Sequence, residues 1–243
     1  MTAASNPIKT AFRRFINRLG YDIVGYLGGS PRGRMARLLA QHRIDVILDV
    51  GAFEGAFGRD MRGLGFQGRI VSFEPRRDTF EHLRQGTTGD GKWQAVPLGL
   101  GDRNETRMIN VAANAQSSSL LPMLESHLMA APESAYRTQE EISLRRLDSI
   151  FREYCGPGDK AFLKIDTQGF ERQVLDGAAE VLAQVPLLLL ECSLVPLYQD
   201  SDTIDGAIAL ARRLGYDPVD IQPNFFHHDT GYLMQADVVF ARR

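Results

Sequence analysis

Five short apolar runs separated by helical stretches constrain this chain most. They span residues 45–50, 69–74, 93–98, 161–166 and 186–191, and the last holds four successive leucines. Each is too short for a helix and too uniformly apolar for a strand with one wet face, so each predicts a strand buried on both sides. Gly51 follows the first run and Pro75 the second. Helices are expected over 55–63, up to about 85, over 170–183 and over 203–214. Strands alternating with helices build βαβ units around a parallel sheet. Residues 217–222 and 236–241 predict a closing strand pair.

Residues 102–158 break this rhythm. Strands are expected over 106–112 and 141–145, with Ser117-Ser118-Ser119 and the Met/Leu-rich stretch from Met123 to Met129 between them. An insertion that long inside an α/β domain is usually functional. Its methionines suit either a flexible lid or ordinary helix packing.

The rest of the composition sets bounds. At 243 residues, 44% hydrophobic and 24% charged, the chain is long enough for one large core, and disorder is excluded. Cys155 and Cys192 allow at most one disulfide, and CxxC spacing is absent, which predicts a reducing, cytoplasmic setting and no zinc site. No run of about 18 apolar residues predicts a membrane span, and no secretory leader is expected. Eight Lys or Arg against one acid give residues 1–43 a charge of +7, so the rest carries −9. The division follows: an accessory helical segment over 1–43 and a catalytic domain over 44–243. In the accessory segment Ile8, Phe12, Phe15, Ile16 and Leu19 share one helical face, and a second helix is expected over 34–42. The basic first helix suits an anionic membrane surface, its own domain or a dimer partner.

In open α/β sheets ligands bind beyond the carboxyl ends of the strands. Asp49, Glu74, Asp166 and Glu191 stand there, and Asp102 follows the third strand. The first turn reads Asp49-Val50-Gly51-Ala52-Phe53-Glu54-Gly55-Ala56-Phe57-Gly58. A dinucleotide fingerprint needs G-x-G-x-x-G, with a central glycine admitting a pyrophosphate. Phe53 occupies that position, so a smaller ligand carrying a carboxylate and a cation fits better; S-adenosylmethionine is one. Glu74 suits the ribose hydroxyls, and helix N-terminal amides suit the carboxylate.

These segments together resemble the FkbM family of S-adenosylmethionine-dependent methyltransferases. The resemblance runs through 49–55 (Asp-Val-Gly-Ala-x-x-Gly), 73–75 (Phe-Glu-Pro), 117–120 (Ser-Ser-Ser-Leu), 147–150 (Leu-Asp-Ser-Ile), 163–171 (Leu-Lys-Ile-Asp-x-x-Gly-Phe-Glu) and 235–240 (Gln-Ala-Asp-Val-Val-Phe). It covers about 44–243. Phe53 departs from the family's usual Asn, and Thr167-Gln168 from its usual Val-Glu. The resemblance implies a class I methyltransferase fold: seven strands in the order 3-2-1-4-5-7-6, with strand 7 antiparallel. It also implies O-methylation of a small molecule, often a sugar of a polysaccharide or glycosylated natural product.

The cofactor is expected to touch Asp49, Gly51, Phe53, Glu54, Gly55, Phe57, Glu74, Pro75, Arg76, Leu100, Asp102 and Asp166. The acceptor is expected to touch Ser118, Ser119, Thr167, Gln168 and Glu191. Asp166 is the first choice to orient the hydroxyl or take its proton, and it also suits an N-cap of the following helix. His227 and His228, between the last two strands, titrate near neutrality and are the other candidate bases. Asp166, Glu191 and one of these histidines offer ligands for a divalent metal, although no close-spaced motif predicts one. Glu191 alternatively pairs with a nearby Arg or amide. Three other readings stay open: an NAD-dependent oxidoreductase, a nucleic-acid methyltransferase, which the −9 body disfavours, and a binding module without turnover.

Overall fold

The computed structural model describes residues 29–243 together with Phe12, Phe15, Ile16, Arg18 and Leu19. Most of the expected helix over 8–19 therefore lies outside the described residues; Phe12, Phe15 and Leu19 are exposed.

Helix α1 (Pro31–Gln41) begins one turn earlier than the apolar periodicity suggests, because the Ser30 hydroxyl accepts the Gly33 N–H and Pro31 takes the first helical position. Strand β1 (Val46–Val50) leads into α2 (Ala56–Gly63), then β2 (Arg69–Phe73), α3 (Arg77–Gly86) and β3 (Trp93–Val96). The interruption contains β4 (Gly99–Leu100), β5 (Glu105–Ala112), α4 (Glu125–Ala130) and β6 (Tyr136–Arg145), followed by α5 (Leu147–Tyr154). The alternation resumes with β7 (Ala161–Ile165), α6 (Glu171–Asp176), β8 (Leu187–Ser193), α7 (Ile204–Arg213), β9 (Tyr216–Phe226) and β10 (Leu233–Arg242).

The main sheet has seven strands in the order β3-β2-β1-β7-β8-β10-β9. The numbers differ from the sequence expectation because the excursion's strands β4, β5 and β6 form a separate sheet, ordered β4-β6-β5. Counted within the main sheet alone, the order is 3-2-1-4-5-7-6. β10 runs antiparallel to both β8 and β9, while the other pairs are parallel.

Period-two alternation explains why the central strands are apolar throughout. Val46, Leu48 and Val50 of β1 enter the core on one face, and Ile47 enters the core on the other. Both faces are covered, so every residue of β1 is buried. Each such aliphatic side chain contributes about 1.5–3 kcal/mol. Asp49 falls on the Ile47 face and is fully buried. Its register neighbours are Ser72 on β2 and Lys164 on β7, and both engage it: the Ser72 hydroxyl donates at 2.9 Å and Lys164 Nζ lies 3.2 Å away.

One expected helix is much shorter. The apolar pattern over 170–183 predicts continuous helix, but α6 stops at Asp176. At Gly177 the chain runs against Gly101, whose carbonyl oxygen would sit 1.9 Å from any Cβ placed there. The Gly177 carbonyl also accepts the Asp148 N–H. Tertiary contact ends this helix where local pattern would continue it. Two strands are longer than expected: β6, central in the small sheet, and β9, at the edge of the main one, extend past their apolar cores because partner strands supply their hydrogen bonds.

Candidate active site

At the carboxyl end of β1 the chain must turn sharply beside β7. Gly51 adopts φ +70, and a Cβ there would lie 1.8 Å from the Asp166 carbonyl oxygen, so only glycine fits. Phe53 adopts φ +49, a left-handed conformation that is strained for a bulky residue. Its backbone N–H donates to Glu74 Oε2 at 3.0 Å. The other Glu74 oxygen accepts the Arg76 N–H at 3.0 Å and the Thr79 hydroxyl at 2.8 Å. The Glu74 carboxylate thus clamps the β1 turn to the β2 turn. Burial pushes its pKa up, and the Thr79, Arg76 and Phe53 hydrogen bonds oppose that push.

Gly51, Phe53, Glu74, Pro75, Arg76, Leu100 and Asp166 wall one cavity, together with Ser118, Thr167 and Gln168. Ile109, Ile142, Leu144 and Phe170 supply its apolar side. The excursion therefore closes this cavity as a wall.

Five residues expected at the cofactor do not line this cavity. Asp49 is turned inward to Ser72 and Lys164. Glu54 pairs with His82 at 3.2 Å on the surface. Gly55 starts α2 and packs on Leu83 and Trp93. Phe57 packs edge-on to Phe162 in the core. Asp102 lies in a different groove with Arg103. Proximity in sequence to the turn did not place them: Asp49 and Phe57 turn into the core, and Glu54 and Asp102 lie at the surface outside this cavity.

Lys164 sits beneath the site, with Nζ 2.8 Å from the Gly51 carbonyl oxygen and 3.4 Å from Asp166 Oδ2. Burial pulls its pKa down, but the Asp166 and Asp49 carboxylates outweigh that and hold it above the ordinary lysine value. A buried cation with two carboxylates and a carbonyl is compensated. Asp166 does not cap α6: Phe170 stands at that N-cap, and Glu171 accepts the Thr167 and Gly169 N–H groups instead. Asp166 Oδ1 accepts from Gln168 Nε2 at 3.0 Å.

Gln168 is the junction of the site. It holds φ +55, and its amide also donates to Glu191 Oε2 at 2.6 Å while accepting the Tyr198 hydroxyl at 2.6 Å. Ser119 donates to the Gln168 carbonyl at 2.6 Å, so this serine positions the turn rather than facing the cavity. Asp166 and Gln168 also line a second cavity of about 420 Å³, with Glu191, Asn224, Gln235 and Asp237. Glu191 and Asp237 are direct register neighbours on β8 and β10, a destabilising placement for two carboxylates. Asn224 Nδ2 relieves it, donating to Asp237 Oδ1 at 3.0 Å and lying 3.3 Å from Glu191 Oε1; Gln235 donates to Glu191 at 2.9 Å. Amides, not an arginine, are the partners of Glu191. Burial, then the Asp166 charge, pushes Asp237 to about 7 and Glu191 well up as well.

His227 and His228 are not in either cavity. They stack at 5.6 Å on the β9–β10 hairpin tip, where His228 pairs with Asp229 at 2.9 Å. The metal set of Asp166, Glu191 and one of these histidines is therefore not assembled. Among the described residues, the group whose possible ligand atoms come within 4.8 Å of one another is His227, His228 and Asp229. Sequence reading missed Asp237, Asn224, Gln235 and His127. Asn224 lies on β9, and Gln235 and Asp237 lie on β10 inside the 235–240 segment that carries the resemblance; His127 had no signal, since it lies on a short helix of the interruption.

Among the described residues no helix is long and apolar enough to cross a membrane. No curated protein matches the sequence. Solved structures to which the chain is similar include an rRNA methylase from Streptococcus thermophilus (10% identical, 88% of this chain and 98% of that one, TM-score 0.46). Another is Aeropyrum pernix fibrillarin with S-adenosyl-L-methionine (12%, 81% and 66%, 0.46). The family model of the methyltransferase FkbM domain matches residues 33–218, which span the glycine turn, Glu74, Asp166 and Glu191, and the chain belongs to the FkbM methyltransferase family.

Proposed function

We propose that the protein transfers a methyl group from S-adenosylmethionine to a hydroxyl of a small, uncharged acceptor, such as a sugar of a polysaccharide or glycosylated natural product. The observation that carries this reading is the meeting of two cavities at Asp166 and Gln168. The first cavity's residues fit the cofactor: Gly51 leaves the backbone bare, Glu74 presents a carboxylate for ribose hydroxyls, and the apolar wall suits an adenine. When bound, the cofactor supplies an electrophilic methyl group on a sulfonium. The Asp166 carboxylate gives that end a negative character, which favours a cation and disfavours an anionic acceptor.

Asp166 stands where the cavities join, with the Gln168 amide and Lys164 fixing the directions of its two oxygens. It is the group to orient the acceptor hydroxyl and take up its proton during attack. A positioned base typically adds about 10²–10⁴-fold. Holding the reactants in line contributes more, up to roughly 7–11 kcal/mol.

The test is label transfer from S-adenosylmethionine to a panel of methyl glycosides, with Asp166→Asn as control. Transfer that falls about 10²-fold or more in the variant is expected. Tight binding of NAD with no binding of S-adenosylhomocysteine would sink the reading, as would turnover indifferent to Asp166.

A further inference from the structure

In the second cavity nearly every polar group is already engaged. Asp166, Glu191 and Asp237 accept from the carboxamides of Gln168, Gln235 and Asn224. Among the described residues that line this cavity, His127 holds a buried ring nitrogen, Nδ1, without a hydrogen-bond partner. His127 is 2% exposed. Its ring is held edge-on to Tyr198 at 5.1 Å and tilted over Phe225 at 5.6 Å. Those contacts orient the imidazole but leave Nδ1 without a partner. A buried polar atom left without a partner is destabilising and calls for an explanation.

We infer that His127 is an acceptor-binding residue, whose imidazole hydrogen-bonds a hydroxyl of an uncharged, polyhydroxylated acceptor in the second cavity. The inference rests on the methyl-transfer reading of the site. Burial pushes the His127 pKa down to about 4, against the opposing Glu133 carboxylate, so at neutral pH the ring is uncharged. A neutral imidazole has one donor and one acceptor nitrogen, which matches a hydroxyl and does not attract an anion. The short helix α4 brings it to the cavity that Asp166 also lines, so the acceptor would be held by both the excursion and the main sheet.

The experiment uses the whole protein with ring-labelled histidine, saturated with S-adenosylhomocysteine and titrated with methyl α-glucopyranoside and methyl α-rhamnopyranoside. Five histidines give five ring signals, and His127→Asn assigns the one of interest. A saturable shift of the His127 signal is expected, with affinity about tenfold or more weaker in His127→Phe. Phe removes the orphaned nitrogen, so its melting temperature is expected to be no lower than wild type. A silent His127 signal, whether the hairpin histidines respond or not, overturns the inference, as does unchanged affinity in His127→Phe. Label transfer from S-adenosylmethionine to the same glycosides, run on parallel samples free of S-adenosylhomocysteine, separates the two readings. Transfer with a silent His127 refutes only the inference; a His127 response without transfer refutes only the turnover.

Discussion

Replacing Glu74 with Gln tests the cofactor assignment most directly. The carboxylate receives three donors: the Phe53 N–H at 3.0 Å, the Arg76 N–H at 3.0 Å and the Thr79 hydroxyl at 2.8 Å. A glutamine offers one oxygen and one NH₂ group, so whichever way it is turned at least one donor meets a donor. The stability cost is about 1–3 kcal/mol, the desolvation penalty of an unpaired buried group. A ribose hydroxyl would also lose a charge-assisted acceptor, at about 1.5–3 kcal/mol. That converts to roughly 10- to 150-fold weaker cofactor binding. Thermal unfolding without ligand reads the first effect, and calorimetric titration with S-adenosylhomocysteine reads the second. A lowered melting temperature with unchanged affinity would show that Glu74 only ties the two turns together, and the ribose assignment would fall.

Three other outcomes are expected. Gly51→Ala sets a Cβ 1.8 Å from the Asp166 carbonyl oxygen at φ +70, so the β1 turn must move; cofactor binding measured by calorimetry is expected to be lost, and wild-type affinity would contradict the close approach. Asp237 carries a pKa raised to about 7, so from about pH 4 to 7 the folded protein holds a proton that the unfolded chain has released, and stability falls as pH rises at up to about 1.4 kcal/mol per unit. Asp237→Asn is expected to flatten the melting-temperature profile over that window and to stabilise the protein at pH 8; parallel profiles would refute the burial argument. His227→Ala and His228→Ala are expected to keep turnover within about twofold, because both rings sit on an exposed hairpin outside the cavities; a loss of about 10²-fold, the mark of a general base, would restore them to the mechanism.

Much of the scaffold was legible because local chemistry dictates it. Four leucines in a row at 187–190 cannot remain half wet, so a central strand follows. The chain's turn at Gly51 reflects a backbone requirement that only glycine meets. The acids at the strand ends were legible by position, since the parallel topology fixes which end of a strand carries the ligand. What a strand-end position does not give is the direction of a side chain. Asp49 and Glu74 end neighbouring strands, yet one faces Lys164 in the core and the other faces the cavity.

The sequence by itself determined the buried parallel strands, the glycine turn and the acids beyond the sheet, because each follows from a short window of polarity and backbone geometry. Tertiary structure alone decided the acceptor side. Glu191 and Asp237 are 46 positions apart and meet only through antiparallel pairing; His127 comes from the interruption and reaches them only by packing on Tyr198 and Phe225. Such a site is a coincidence of distant segments in space, and no local pattern records it.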